Sequence, residues 1–165
     1  MPAQTFPRSR LHSAAALTVL LLLAFTVAAL GGAATASSVT SWYPTLAKPT
    51  WTPPSAVFGP AWTTLYILMS LATWRIWRRA DLPGRKVTLA LHGVQLALNA
   101  LWSVLFFGLR NPTLAFVNIL ALLAVLLVLQ VRLARADRPA AFLWIPYLLW
   151  VAFATALNFS IVRLN

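Results

Sequence analysis

The chain contains no cysteine. That excludes disulfides, covalent c-type haem attachment, cysteine-ligated clusters and thiol catalysis. Acidic side chains are almost as scarce: Asp81 and Asp137 are the only carboxylates, and both fall in polar loops. Paired carboxylates, a metal-binding cluster, a nucleophile–base pair and a phosphate loop are all missing. Hydrolysis, phosphoryl transfer and proton-coupled pumping therefore lack their usual apparatus, and no intramembrane acid is available for a proton relay. Charge of any sign is thin, with 9% charged residues against about 25% in soluble domains. A soluble globule is excluded on that ground.

What the chain has instead is apolar sequence, 61% of its residues. Five runs are long enough to cross a hydrocarbon core of about 30 Å: Leu11–Ala36, Val57–Trp77, Val87–Gly108, Thr113–Leu133 and Ala140–Val162. Backbone groups in lipid must be satisfied within the segment, so these runs are helices. The expected architecture is an all-α integral membrane protein, a single five-helix bundle over residues 1–165, with successive helices as antiparallel neighbours. Arg8, Arg10 and then Ala34-Thr35-Ala36 also fit a cleavable signal peptide, which would leave four spans. The length of the first apolar run favours its retention.

The net charge of +11 does not form a nucleic-acid-binding face. Arg8 and Arg10, the set Arg75, Arg78, Arg79, Arg85 and Lys86, and the set Arg132, Arg135 and Arg138 lie in alternate loops. The other side carries Lys48, Arg110 and Arg163. The positive-inside rule places the N-terminus in the cytoplasm and Asn165 outside.

Residues 37–56 connect the first two runs. Within them, Trp42–Pro54 reads WYPTLAKPTWTPP, with four prolines in thirteen residues. Proline removes a backbone donor and fixes φ, so this is a stiff aromatic segment rather than a helix or slack connector. It reads as a lid on the outer side, with Lys48 its one cation.

Three helices carry polar and aromatic stripes at helical spacing. The third has His92, Gln95, Asn99, Trp102 and Phe106; the second has Phe58, Trp62, Tyr66, Met69 and Thr73; the fifth has Tyr147, Trp150, Ala154 and Asn158. Polar groups facing lipid are penalised, so these stripes face inward. Counted along the helices, Trp62, Tyr66, Asn99, Trp102, Trp150, Ala154 and Asn158 fall in the middle or outer half of the membrane. They are expected to line a cavity beneath the lid. His92 reads as a hydrogen-bonded core histidine rather than a haem ligand. Trp74, Trp77 and Trp144 read as an interfacial belt on the cytoplasmic side. Pro146 is expected to kink the fifth helix or open its ladder. On the opposite face of the third helix, Ala90, Gly93, Ala97 and Ala100 suit close backbone approach, either within the monomer or across a homodimer.

The motifs WYPTLAKPTWTPPSAVFGPAWTTLY, ALNALWSVLFFG and IPYLLWVAFATALNFSIVRLN resemble the tryptophan-rich sensory protein/translocator protein family, TspO/MBR. The resemblance runs from Ser41 to Asn165. It implies a five-helix membrane protein, commonly a homodimer, that binds protoporphyrin IX and haem as ligands and requires no cofactor or metal. It further implies drug-like ligands and a pocket under the first extramembrane loop. Trp42, Tyr43 and Pro53 fall on the family's loop or rim positions, and Trp62, Tyr66, Asn99, Trp150 and Ala154 on its cavity positions. Trp62 and Trp150 match positions implicated in light-dependent porphyrin breakdown by some bacterial members. The mammalian cholesterol motif has Tyr where this chain has Phe159, which puts cholesterol binding in doubt. The sequence style suggests a bacterial cell envelope. Three functions compete: a porphyrin receptor or transporter, a light-dependent porphyrin-degrading enzyme, and a membrane scaffold without a small ligand.

Overall fold

The computed structural model describes residues 10–165; Arg8, used in the charge argument, lies outside them. It has five helices long and apolar enough to cross a membrane. They are α1 (Arg10–Ser41), α2 (Phe58–Arg78), α3 (Arg85–Ser103), α4 (Pro112–Ala136) and α5 (Arg138–Leu164). A π-helical turn, Val104–Gly108, extends α3.

The turns are fixed by local chemistry. Gly84 takes a left-handed φ of 70° just before α3. A Cβ there would be strained and would meet Arg132 Nη2 at 2.5 Å. Asn111 and Asp137 cap α4 and α5, accepting from the backbone N–H of Leu114 and Ala140 at 3.0 and 2.9 Å. Pro112 and Pro139 stand in the first turns, where a missing N–H costs nothing.

Two boundaries differ from expectation. α1 continues five residues past Ala36, so the lid is Trp42–Val57 rather than residues 37–56. Asp137 alone separates α4 from α5, because its carboxylate caps the second helix at once. Pro146 lies within α5, which remains one helix around it.

The helices close a ring in the order α1, α2, α5, α4, α3. Successive helices are neighbours with one exception: α2 touches α3 sparsely, because α5 packs between α2 and α4. The ring's interior is filled by Met69, Ile76, Leu126, Leu129, Trp144 and Tyr147, all essentially buried. Trp144 is thus a core residue, 1% exposed, and not part of an interfacial belt. It lies three residues before Tyr147, on α5's inward stripe. Trp74 remains half-buried near the end of α2, with Nε1 donating to Ser13 O at 2.8 Å and Arg78 over its ring.

α1 is the least embedded helix. Its buried residues are Ala24, Gly31 and Ser38, one small side chain every seven residues. This seam lets α1 lie close to the ring. A Cβ on Gly31 would come within 3.0 Å of Ser103 Oγ. Ser38 Oγ donates to Phe107 O at 2.7 Å and ties α1 to the π-turn.

Candidate ligand cavity

The inward stripes leave a cavity of about 510 Å3 in the half of the bundle nearest the lid. That lies within the usual range for small-molecule sites, roughly 300–1,000 Å3. Its walls include Tyr43 and Pro53 from the lid, Trp62 and Tyr66 from α2, Asn99 and Trp102 from α3, and Trp150, Ala154 and Asn158 from α5. Trp42 is not among them. Its ring packs edge-on against Phe106, 5.7 Å between centroids, and so supports the wall from behind.

Aromatic rings dominate the surface. Trp62 stacks on Tyr66 at 5.4 Å and stands edge-on to Trp150 at 6.4 Å. Trp102 stacks on Phe106 at 5.1 Å, and Phe58 meets Trp150 at 5.7 Å. The Trp102 indole N–H donates to Asn158 Oδ1 at 3.0 Å, and Asn158 Nδ2 donates to Pro112 O at 2.9 Å. These two bonds hold Trp102 while tying α3, α5 and the start of α4 together.

Among the described residues, no charged side chain lines the cavity. Lys48 does not reach it either. Its ammonium donates to the backbone carbonyls of Tyr43 and Leu46 at 2.8 and 2.7 Å and lies 4.9 Å from the Tyr43 ring centroid. A non-helical, proline-broken backbone leaves carbonyls unsatisfied, and Lys48 supplies donors for them. Burial beneath the lid pushes the Tyr43 phenol above its ordinary pKa. The lid is also held from α5: Asn165 and Ala47 exchange two hydrogen bonds of 3.0 Å. Trp51 packs edge-on against Phe153 at 5.6 Å. The lid and Asn165 therefore sit at the same end of the bundle.

His92 lies outside the cavity, buried behind it, with Nδ1 engaged by Thr73 and Gln95. Ala90, Gly93 and Ala97 lie on the outer surface of α3, and Ala100 is half-buried. A Cβ on Gly93 would touch nothing within 4 Å. That stripe is not used for packing within the monomer at Gly93.

Sequence reasoning missed the contribution of α1. Phe25, Ala28, Gly32, Thr35 and Val39 all face the cavity. The signal was present in the seven-residue spacing of Ala24, Gly31 and Ser38, which fixes the face that α1 turns inward.

The model of the TspO/MBR family matches residues 18–164. The tryptophan-rich protein TspO of Archaeoglobus fulgidus is 44% identical over 131 residues, covering 79% of this chain and 84% of that protein. The tryptophan-rich sensory protein of Cereibacter sphaeroides is 40% identical over 148 residues, or 88% and 91% of the two chains. The human translocator protein is 39% identical over 126 residues, 75% of each chain.

Proposed function

The chain belongs to the TspO/MBR family of membrane sensory and translocator proteins, and from that premise we propose that it binds porphyrins, protoporphyrin IX and haem, in the cavity under the lid, as a tetrapyrrole sensor or transporter. The observation that carries this reading is the wall of stacked indole, phenol and phenyl rings with no charged side chain. A flat macrocycle buries its faces well between such rings. Its propionates are too costly to bury unpaired and would sit at the rim. Among the described residues, no histidine lines the cavity, so the macrocycle is held by ring contact and not through an axial imidazole. Protoporphyrin IX and haem should therefore quench tryptophan fluorescence saturably at similar concentrations in nanodiscs. Quenching that rises without saturation, as simple partitioning into lipid gives, would overturn the reading.

A second reading is light-dependent porphyrin breakdown, favoured by one observation: Trp62 and Trp150 stand side by side in the cavity wall. Loss of porphyrin absorbance under illumination, absent in the dark and in a Trp62→Phe variant, would select it over sensing or transport.

The partner for the outer face of α3 is a second copy of this chain. Exposed small residues at Ala90, Gly93 and Ala97 allow close helix approach. Gly93→Leu and Ala97→Leu should each reduce crosslinked dimer in native membrane while leaving porphyrin quenching intact. Undiminished dimer in both variants would assign the face to lipid. The protein resides in a bacterial envelope membrane with the lid and Asn165 outside, on the charge asymmetry of the loops. A reporter joined after Asn165 that works only outside the cytoplasm should be active; silence would reverse the orientation.

A further inference from the structure

From the cavity wall inward, six side chains from three helices form one directional hydrogen-bond chain that forks at its far end. The Tyr66 hydroxyl donates to Asn99 Oδ1 at 2.7 Å. Asn99 Nδ2 donates to the Tyr147 oxygen at 3.2 Å, and the Tyr147 hydroxyl donates to Gln95 Oε1 at 2.9 Å. Gln95 Nε2 then reaches His92 Nδ1 at 3.2 Å and Met69 Sδ at 3.6 Å. All six residues are buried, none more than 6% exposed. Only Tyr66 and Asn99 touch the cavity.

The direction of this chain is determined at its far end. An amide nitrogen only donates and a thioether only accepts, so the Gln95 amide must turn its nitrogen toward Met69 and His92. His92 Nδ1, also 3.1 Å from the Thr73 hydroxyl, is then an acceptor, and the ring proton sits on Nε2, which is buried with no hydrogen-bond partner among the described residues. With Gln95 so oriented, its oxygen must receive the Tyr147 proton. The Tyr147 oxygen must receive from Asn99, and Asn99 Oδ1 from Tyr66. The Tyr66 proton is thereby committed away from the cavity, leaving its oxygen lone pair as the group offered to a ligand. A proton on His92 Nδ1 would demand the opposite Gln95 orientation. Each link would reverse, and Tyr66 would present a donor instead.

We propose that Gln95, held by Met69 and His92 and acting through Tyr147 and Asn99, is a specificity-determining residue that makes the inner end of the cavity a hydrogen-bond acceptor and so selects ligands carrying an N–H or O–H donor. The proposal rests on the cavity being the ligand site. Gln95 touches no ligand; it is a positioning residue, and a merely structural Gln95 would affect all ligands alike.

Carbazole and fluorenone test this. Both are flat tricyclic molecules of similar size; carbazole offers an N–H donor and fluorenone only a carbonyl acceptor. The wild-type protein should bind carbazole about tenfold more tightly, the factor one neutral hydrogen bond supplies. In Gln95→Leu this ratio should fall toward one, while Thr73→Val, which removes a neighbour of Nδ1 outside the chain, should keep it, as should His92→Leu, in which Met69 still orients the Gln95 amide. A wild-type ratio near one, or an unchanged ratio in Gln95→Leu, would overturn the proposal. The 15N spectrum of the imidazole gives a ligand-free check that needs no variant to fold. It should show Nδ1 bare and Nε2 protonated, and a protonated Nδ1 would also overturn the proposal. If the spectrum is as expected but neither probe nor protoporphyrin IX binds saturably, the cavity reading has failed and the selectivity falls with it. Saturable porphyrin binding with no probe preference would defeat the selectivity alone.

Discussion

Replacing Trp62 or Trp150 by alanine should weaken porphyrin binding by roughly ten- to a hundredfold, the loss of one large aromatic contact. Both indoles line the cavity, and Trp62 also holds Tyr66 by stacking. Trp74→Ala should leave binding within about twofold, because that ring lies near the far end of α2, against Ser13 and Arg78. Trp62→Phe and Trp150→Phe separate ring loss from collapse of the wall. They keep a ring and should cost about tenfold or less. The measurement is a fluorescence-quenching titration of all five variants beside the wild type. Equal affinities for Trp62→Ala, Trp150→Ala and Trp74→Ala would remove the cavity from the functional account.

The second large effect concerns stability at the opposite end of the bundle. Asp137→Ala should destabilise the protein by about 2 kcal/mol, combining a lost helix cap with a lost ion pair. Asp137 caps α5 through Ala140 and receives Arg75 Nε at 3.0 Å and Arg75 Nη2 at 3.2 Å. Arg79 stands 4.0 Å away. One carboxylate thus joins the end of α2 to the α4–α5 turn. The Arg75 side chain is 39% exposed, so the pair is partly screened and the cap is the larger share. Desolvation alone would raise the Asp137 pKa, but the Arg75 and Ala140 hydrogen bonds and the two guanidinium charges outweigh it and hold the carboxyl below its ordinary 3.8. A depressed folded-state pKa contributes stability that is complete above the unfolded value and fades as pH falls through the folded one. The wild type should therefore lose its advantage over Asp137→Ala only below about pH 4. Thermal unfolding in detergent, followed by circular dichroism at neutral and acid pH, reads both effects. Identical melting of the two proteins at neutral pH would show that the cap and bridge contribute nothing.

The spans and the inward stripes were legible because membrane burial makes the polar residues informative. An amide at position 95 or 99 has few tolerable environments in lipid, and both proved buried. Three features escaped the sequence, each for its own physical reason. α1 packs through Ala24, Gly31 and Ser38, whose small side chains give almost no hydropathy contrast with a lipid-facing surface. Trp144 was placed by depth alone, although its spacing to Tyr147, Val151 and Asn158 put it on the buried side of α5. Lys48, the lid's one cation in the sequence, is taken up by the lid's own carbonyls. The carbonyls that claim it belong to a backbone whose fold the residue pattern does not encode. The pairing of α2 with α5 was likewise invisible, since loop lengths constrain consecutive helices only.

The lid's two ties have a consequence for rates. Lys48 knots Tyr43 to Leu46, and Asn165 holds Ala47. The chain's own contacts order the lid, so a ligand beneath it would not bear the entropy of assembling it. A ligand entering past the lid would have to break the Asn165 pair, and would meet the same barrier on exit. Loosening it would therefore speed departure more than arrival, because a slack lid must be reassembled around the ligand. The lid's ties thus bear on how long a ligand stays as well as on how tightly it is held.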